Sequence, residues 1–373
     1  MFQNPNFPSE FMRLFDELEQ GHIALRDKLN AWIDEGPVLE EKLAPEVIKY
    51  EAWRCHIMEY LGDILLALDI DSQLYHRESI TQTTYYRIIQ EAPFYWQIMH
   101  KPEGYAGDAE MMNFIYRNQF IGDSPFGKLL HKHAVESKAC QAVRNRREFL
   151  YQRIREVVKN NHGNILSLAA GPAIEMHEAL RDCRSNGLTC HALDHDIKTL
   201  CRHSNNDRRL TYALANAFSI IKGDYRIALP RQATKEYCNP RRDFKGIRRL
   251  ALPLLYEFSE LKRESYDLVY TAGLYDYIKT FPDHPEKGTI ALTKNLFEFV
   301  KPGGSLIIGN FSKNIPRDHR FPIEYVYNWQ LIYRDEKEMF EFARAIPKRH
   351  IALMTIEQEP LGINYFLKID KTA

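Results

Sequence analysis

The residues best suited to chemistry begin where an apolar run meets a run of small side chains. Ile165-Leu166-Ser167-Leu168 leads into Ala169-Ala170-Gly171-Pro172-Ala173, after which Ile174, Met176-His177 and Leu180 fall at helical spacing. This reads as a buried strand, a tight turn and a helix, the unit that opens a nucleotide-binding α/β fold. Small residues let the backbone approach a ligand, and a helix start offers unpaired N–H groups. Pro172 suits the first helical turn, where its missing N–H costs nothing. Any parallel α/β domain has such turns, so the residues that follow decide the reading. Thr189 to Leu193 is a second apolar run and ends in Asp194, roughly 20 residues on, where an acid can hold a ribose. A third run, Leu210 to Leu214, ends in Ala215-Asn216-Ala217-Phe218. A fourth, Tyr266 to Thr271, is followed by Ala272-Gly273-Leu274-Tyr275-Asp276-Tyr277, and a fifth, Ser305 to Gly309, follows the turn Lys301-Pro302-Gly303-Gly304.

The remaining candidates lie outside those runs. Gly104-Tyr105-Ala106-Gly107-Asp108 places two glycines around a tyrosine and ends in an acid. Asp108 either caps a helix over Ala109–Arg117, or it faces a ligand together with Tyr105. Arg144, Arg146 and Arg147 crowd one helix, and positions 144 and 147 share a face by their i,i+3 spacing. Tyr270, Tyr275 and Tyr277 cluster after the fourth run, where aromatic faces could stabilise a cation. An acceptor needing deprotonation would draw on Tyr275, Asp276, His195 or His133. His131 with His133, and His191 with His195, have ligand-like spacing. The first pair diverges on a helix and no third ligand converges, so no metal is expected.

These groups need a scaffold. Phe11, Leu14-Phe15, Leu18, Leu29 and their neighbours predict a helix over the first 35 residues, with Ser9 as its cap. Gly36-Pro37 breaks the pattern, Pro45 to Leu68 repeats it, and Thr84 to Ile98 predicts a third helix kinked at Pro93. His131 to Arg155 reads as one long helix entering the first strand. Glu324–Ala345 is expected to be helical. Ile351 to Ile356 and Ile363 to Ile369 read as two final strands, whose short connection permits an antiparallel pair. The expected division is a helical domain over 1–135, serving as packing or as a lid, and an α/β domain over 136–373.

The chain has 373 residues, enough for an α/β core and a smaller partner. Lysine and arginine number 50, as do aspartate and glutamate, so no global charge favours nucleic acid or an anionic membrane. No stretch approaches about 18 uncharged apolar residues and no signal pattern opens the chain, so a cytoplasmic protein without a membrane span is expected. The six cysteines show no paired C-x-x-C spacing and fit reduced thiols. Residues 218–265 form a long connection, in which 222–249 carries nine basic and three acidic side chains. That patch could be a solvated surface or a site for an anionic substrate. Aromatics for base stacking are sparse in it, so nucleic acid is not expected as a partner.

The order of small-residue turn, acid, Asn-Ala, Tyr-Asp-Leu-Val and Lys-Pro-Gly-Gly resembles the class I S-adenosyl-L-methionine (SAM)-dependent methyltransferases, over about residues 140–370. Four further motifs extend the likeness along nearly the whole chain. They are Lys101 to Asp108, Ala142-Val143-Arg144-Asn145-Arg146-Arg147, Ala272 to Tyr277, and Trp329-Gln330-Leu331-Ile332-Tyr333-Arg334. Together they look like a bacterial subgroup assigned to methyl-ester formation on a 3-hydroxy fatty acid signal, the extracellular factor type (3-hydroxypalmitic acid methyl ester biosynthesis). The resemblance implies a Rossmann-like seven-stranded sheet with its last strand antiparallel and an N-terminal helical lid domain. It also implies SAM as cofactor and a small-molecule acceptor.

Under that resemblance Ala169, Gly171, Pro172 and Ala173 lie beneath the methionine and ribose. Asp194 accepts from the ribose hydroxyls, Asn216 and Ala217 sit by the adenine, and Thr271, Ala272 and Gly273 line the methyl-donor end. Arg144 or Arg147 meets the methionyl carboxylate, since guanidinium grips a carboxylate bidentately. Tyr105, Tyr275 and Asp276 are the catalytic candidates. Two departures stand out, because Ala169 replaces the first turn glycine and Ser167 occupies the place of an acid in the first strand. A carboxylate acceptor is already ionised and needs no base, which favours positioning and a fatty or other small acid. An amine acceptor, and a cyclisation of the cofactor that releases methylthioadenosine, are the alternatives.

Overall fold

The computed structural model describes residues 9–32, 36–158, 162–183, 187–196, 199, 207–230 and 256–373. They form two compact units. One comprises residues 1–144 with 314–331, and the other residues 145–313 with 332–373. The division falls inside the helix Lys138–Val158, later than the expected 135, and a late excursion of the chain joins the first unit.

The first unit is helical. Its helices include Ser9–Asn30, Pro37–Leu66, Ile70–Ile80, Pro93–His100, Ala109–Arg117 and Pro125–Glu136. Starts are marked by residues that satisfy otherwise unpaired N–H groups. Asp69 accepts from Ser72 N, Asp108 from Met111 N and Ser124 from Gly127 N. Phe11, Phe15, Leu18 and Leu29 are buried, as their spacing predicts. The helix expected from Pro45 begins at Pro37, and Pro45 is accommodated on its exposed side, where water can satisfy the carbonyl it strands.

The excursion 314–331 packs its helix Arg317–Phe321 on Pro37–Leu66. Gly62 permits this approach, since a Cβ there would lie 3.3 Å from Phe321 Cβ. Tyr325 donates to Gln73 Oε1 at 2.6 Å, and Tyr327 stacks on Tyr95 at 5.1 Å. The helix expected over Glu324–Ala345 is therefore corrected. Pro322–Val326 is one wide helical turn, 327–333 is irregular, and a helix resumes only at Glu336–Phe340. The stretch divides between the two units at 331/332, so its spacing does not mark one helix face.

Among the described residues the second unit is built on a nine-stranded sheet in the order β5-β4-β3-β2-β1-β6-β7-β9-β8. The strands are β1 (Gly163–Leu168), β2 (Leu188–Asp194), β3 (Leu210–Leu214), β4 (Arg226–Pro230), β5 (Tyr256–Glu260), β6 (Tyr266–Ala272), β7 (Val300–Phe311), β8 (Ile351–Gln358) and β9 (Asn364–Lys371). From β3 through β1 to β7 all pairings are parallel, and β9 runs antiparallel to both β7 and β8. The described residues thus show two strands more than the seven expected. β4 and β5 pair antiparallel and extend the sheet beyond β3. Each is five residues long and they lie far apart within the long connection 218–265. Of the basic stretch 222–249, residues 231–249 lie outside the described residues.

Parallel strands buried on both faces need apolar side chains in both directions. Ile165 and Leu166 accordingly enter opposite core layers, as do Leu268 and Val269. Leu150 and Ile154 of helix Lys138–Val158, and Met176, Ala179 and Leu180 of helix Ile174–Asp182, cover one face. Leu292, Leu296, Met339 and Phe342 cover the other. Each such side chain contributes about 1.5–3 kcal/mol by leaving water.

Candidate functional site

The sheet reverses its direction of growth between β1 and β6. In open α/β sheets a ligand crevice forms there, outside the carboxyl ends of the strands. The turn after β1 takes an unusual backbone path, with Ala169, Gly171 and Ala173 all at positive φ (56°, 53° and 45°). Ala169 thus adopts the conformation that a glycine would adopt more easily, at about 1–2 kcal/mol. A Cβ on Gly171 would meet nothing within 4 Å, so the turn opens into space. The helix Ile174–Asp182 that follows has no side-chain cap.

Asp194 ends β2 and is 4% exposed. Its Oδ2 accepts from Gly171 N at 2.8 Å and its Oδ1 from Asp196 N at 3.0 Å. Burial pushes its carboxyl up, while those two N–H groups and His195 pull it down. Beyond it, the ends of β3 and β4 enclose a cleft of about 370 Å³ bordered by His195, Asn216, Arg226 and Phe258. Asn216 Oδ1 accepts from Phe218 N at 2.8 Å and so caps the short helix Ala217–Ile221. Phe258 comes from the added hairpin.

At the end of β6, Thr271 is fully buried and its hydroxyl has no hydrogen-bond partner. Gly273 has φ 84°, and a Cβ on it would lie 2.9 Å from Arg146 Nη1 and 3.6 Å from Asp276 Oδ2. Arg146 is therefore the guanidinium at the strand tips, 7% exposed and acting electrostatically on both Glu175 and Asp276. Val143, Arg146, Leu150 and Ile154 are all buried. That spacing marks the buried helix face and is the signal that could have singled out Arg146. Arg147 instead lies 3.7 Å from Glu178. Arg144 belongs to the helical unit, where its Nη1 donates to the carbonyls of Ile115 and Val135.

Glu175 is a second group that sequence reading did not assign. It lies in the first turn of helix Ile174–Asp182, 6% exposed, and accepts from the Tyr270 hydroxyl at 2.6 Å. Burial pushes its carboxyl up, and the bond from Tyr270 and the charge of Arg146 oppose that. Ser167, in place of an acid, is buried beside Tyr270 in register on β6.

Asp276 is 1% exposed, accepts from Phe311 N at 2.8 Å, and is pushed by burial up to about 7. Arg334 lies beneath it, buried and donating to the carbonyls of Tyr275 and Ile278 and to Asn310 Oδ1. Tyr275 is fully buried, with its hydroxyl 2.9 Å from Thr293 Oγ1. Tyr105 stands half-buried in the helical unit, where Asp108 caps its helix and accepts from Gln97. The sheet unit thus gathers Gly171, Asp194, Asn216, Gly273 and Asp276 at one end of its strands.

No protein-family model matches the chain, and no curated protein matches it. Solved structures do. A possible exported protein from Bordetella parapertussis is 14% identical with a TM-score of 0.48, covering 91% of this chain and 100% of its own. The CMeT domain of the citrinin polyketide synthase is 12% identical with a TM-score of 0.42, covering 81% and 69%. The SAM-dependent methyltransferase SibL is 12% identical with a TM-score of 0.40, covering 81% and 76%. Among the described residues no helix is long and apolar enough to cross a membrane.

Proposed function

We propose that this chain is a SAM-dependent methyltransferase acting on a small molecule, the acceptor being the carboxyl of a hydroxy fatty acid or related acid. The observation that carries the reading is the Asp194 carboxylate, fixed by Gly171 N at the sheet's reversal point and next in the chain to His195, which borders the Asn216 cleft. A buried acid there suits two ribose hydroxyls, and the cleft suits a nucleobase. The first turn of the helix supports SAM over a dinucleotide. A diphosphate favours a helix start free of negative charge, whereas Glu175 places a carboxyl in that turn. A ligand bearing an ammonium and a sulfonium is suited by it.

Arg146 is assigned the methionyl carboxylate, ahead of Arg144 and Arg147, with Asp276 as the residue that positions it. Thr271, Ala272 and Gly273 line the reacting end. When bound, the cofactor supplies a methyl group on a positively charged sulfur. The protein's share is to hold the acceptor in line and keep water out, which can account for most of the barrier reduction. A carboxylate acceptor needs no base. Asp276, held near neutrality, would serve a hydroxyl.

Calorimetry of the pure protein with SAM tests the nucleoside site, with Asp194→Ala as the control. Labelled-methyl transfer to a panel of carboxylic acids then tests the reaction. S-adenosylhomocysteine as product supports it. Methylthioadenosine would replace it with the cyclase reading, and no uptake of SAM would remove both.

A further inference from the structure

Four strands of the sheet unit carry one transverse row of side chains beside the cleft. Asp194 on β2 is in register with Leu214 on β3, Leu214 with Ala228 on β4, and Ala228 with Phe258 on β5. Residues directly opposite one another in a sheet project from the same face. Ile227 and Leu229, the chain neighbours of Ala228, turn to the other face and pack in the core layer there. Along the first face the row runs acid, aliphatic, methyl, aromatic ring.

The sizes in that row make a slot. Ala228 offers only a methyl between the larger side chains of Leu214 and Phe258. Neighbouring strands lie about 4.8 Å apart, so those two side chains leave the backbone about 9.6 Å from each other. Carbon atoms in contact lie about 3.5–4 Å apart, so a flat ring with a neighbour on each side takes roughly 7–8 Å. The slot therefore admits one ring layer, standing on Ala228, and not two. Leu214, Ala228 and Phe258 all border the cleft of about 370 Å³. The Phe258 ring is 63% exposed and belongs to neither core layer, so the fold itself makes little use of it.

The polar groups at the mouth favour an uncharged ring over an anion. Arg226, two residues from Ala228 on the same face, donates from Nε to Asp224 Oδ1 at 2.8 Å and from Nη2 to Asp224 Oδ2 at 2.7 Å. Its charge is matched within the cleft, which Asp224 also borders. Asn216 Oδ1 is occupied by Phe218 N, and its amide N–H groups remain to meet acceptor nitrogens on a ring edge.

We propose that the β4–β5 hairpin completes a slot for an adenine ring, with Phe258 stacked on one face of the base and Leu214 against the other. Asp194 stands one strand from Leu214 in the same row, on the side where the ribose attached to that base is proposed to lie. Naming the nucleoside as SAM rests on the methyltransferase reading; the ring slot itself does not.

The test is calorimetry of the full chain with S-adenosylhomocysteine and, separately, with adenosine. Phe258→Ser should weaken both ligands roughly ten- to hundredfold, the range of a base stacked on an aromatic side chain. Its melting temperature should stay that of the wild type, because the ring is exposed. Phe258→Trp should restore binding, and its tryptophan fluorescence should be quenched by adenosine beyond any change in the wild-type chain, which reports stacking directly. Ala228→Leu should abolish binding of both ligands by filling the slot. Wild-type affinity for S-adenosylhomocysteine in Phe258→Ser would overturn the slot and leave the methyltransferase reading standing. Adenosine binding that Phe258→Ser weakens, without any binding of S-adenosylhomocysteine, would keep the slot and remove that reading. No uptake of either ligand by the wild-type chain would remove both.

Discussion

The backbone N–H of Gly171 donates to Oδ2 of Asp194 across 2.8 Å, so the turn after the first strand and the carboxylate ending the second form one rigid corner. Asp196 N occupies the other oxygen. His195 Nδ1 also lies 3.4 Å from Oδ1, and the two acceptor oxygens side by side match a pair of neighbouring hydroxyls.

Asp194→Asn keeps one acceptor oxygen and loses the charge. SAM affinity should fall about tenfold or more, since hydrogen bonds to a charged group are the stronger kind. Asp194→Ala should lose affinity further and also lower the melting temperature, because Gly171 N is left unpaired. Calorimetry and thermal melting separate the two effects, and wild-type affinity in the alanine variant would remove the ribose assignment.

Two glycines with similar φ should respond differently to alanine. Gly273→Ala places a Cβ 2.9 Å from Arg146 Nη1 and must displace it, so SAM binding should drop along with stability. Gly171→Ala meets no protein atom and costs the fold only the left-handed backbone, about 1–2 kcal/mol, although its Cβ enters the space proposed for the cofactor. Melting measured on both variants should show the larger loss for Gly273→Ala, and equal melting losses would show that Arg146 does not crowd that position.

Asp276 gives stability a definite pH dependence. Its carboxyl rises from 3.8 to about 7 on folding, so the native chain holds a proton that the unfolded chain releases. The stabilising contribution is complete below about pH 4, is lost as pH rises towards 7, and stays lost above it. Asp276→Asn should flatten this part of the stability curve by on the order of 2–4 kcal/mol, read from denaturant midpoints between pH 4 and pH 8. An unchanged slope would show that the group is not protonated in the fold.

Gly62→Val should loosen the excursion from the helix beneath it. The site already brings a Cβ within 3.3 Å of Phe321 Cβ, and overpacking costs typically 1–3 kcal/mol. Hydrogen exchange should rise over 317–326 with little change in the sheet strands.

Much of the sheet was legible because buried parallel strands write themselves as apolar runs, and Asp194 and Gly171 stand at their ends. The β4–β5 hairpin was hidden because each strand has only five residues and its partner lies across the long basic connection. Arg146 was passed over for its neighbours because charge alone does not say which face of a helix is buried. The positions of Val143 and Leu150 do say so. Glu175 has no role in the sequence reading, although an acid in a first turn has an electrostatic consequence. The excursion was read as one helix because its apolar residues answer to two cores, and periodicity assumes one.

That excursion also sets a timetable. The helical unit needs residues 314–331, which follow its first part by the length of most of the sheet unit. At a ribosomal pace of about 5–20 residues per second, the front helices wait roughly 10–35 s for the segment that carries Phe321 and Tyr325. A nascent chain therefore exposes the unfinished surface of Pro37–Leu66 for that interval, and a truncation anywhere before residue 314 would make the exposure permanent.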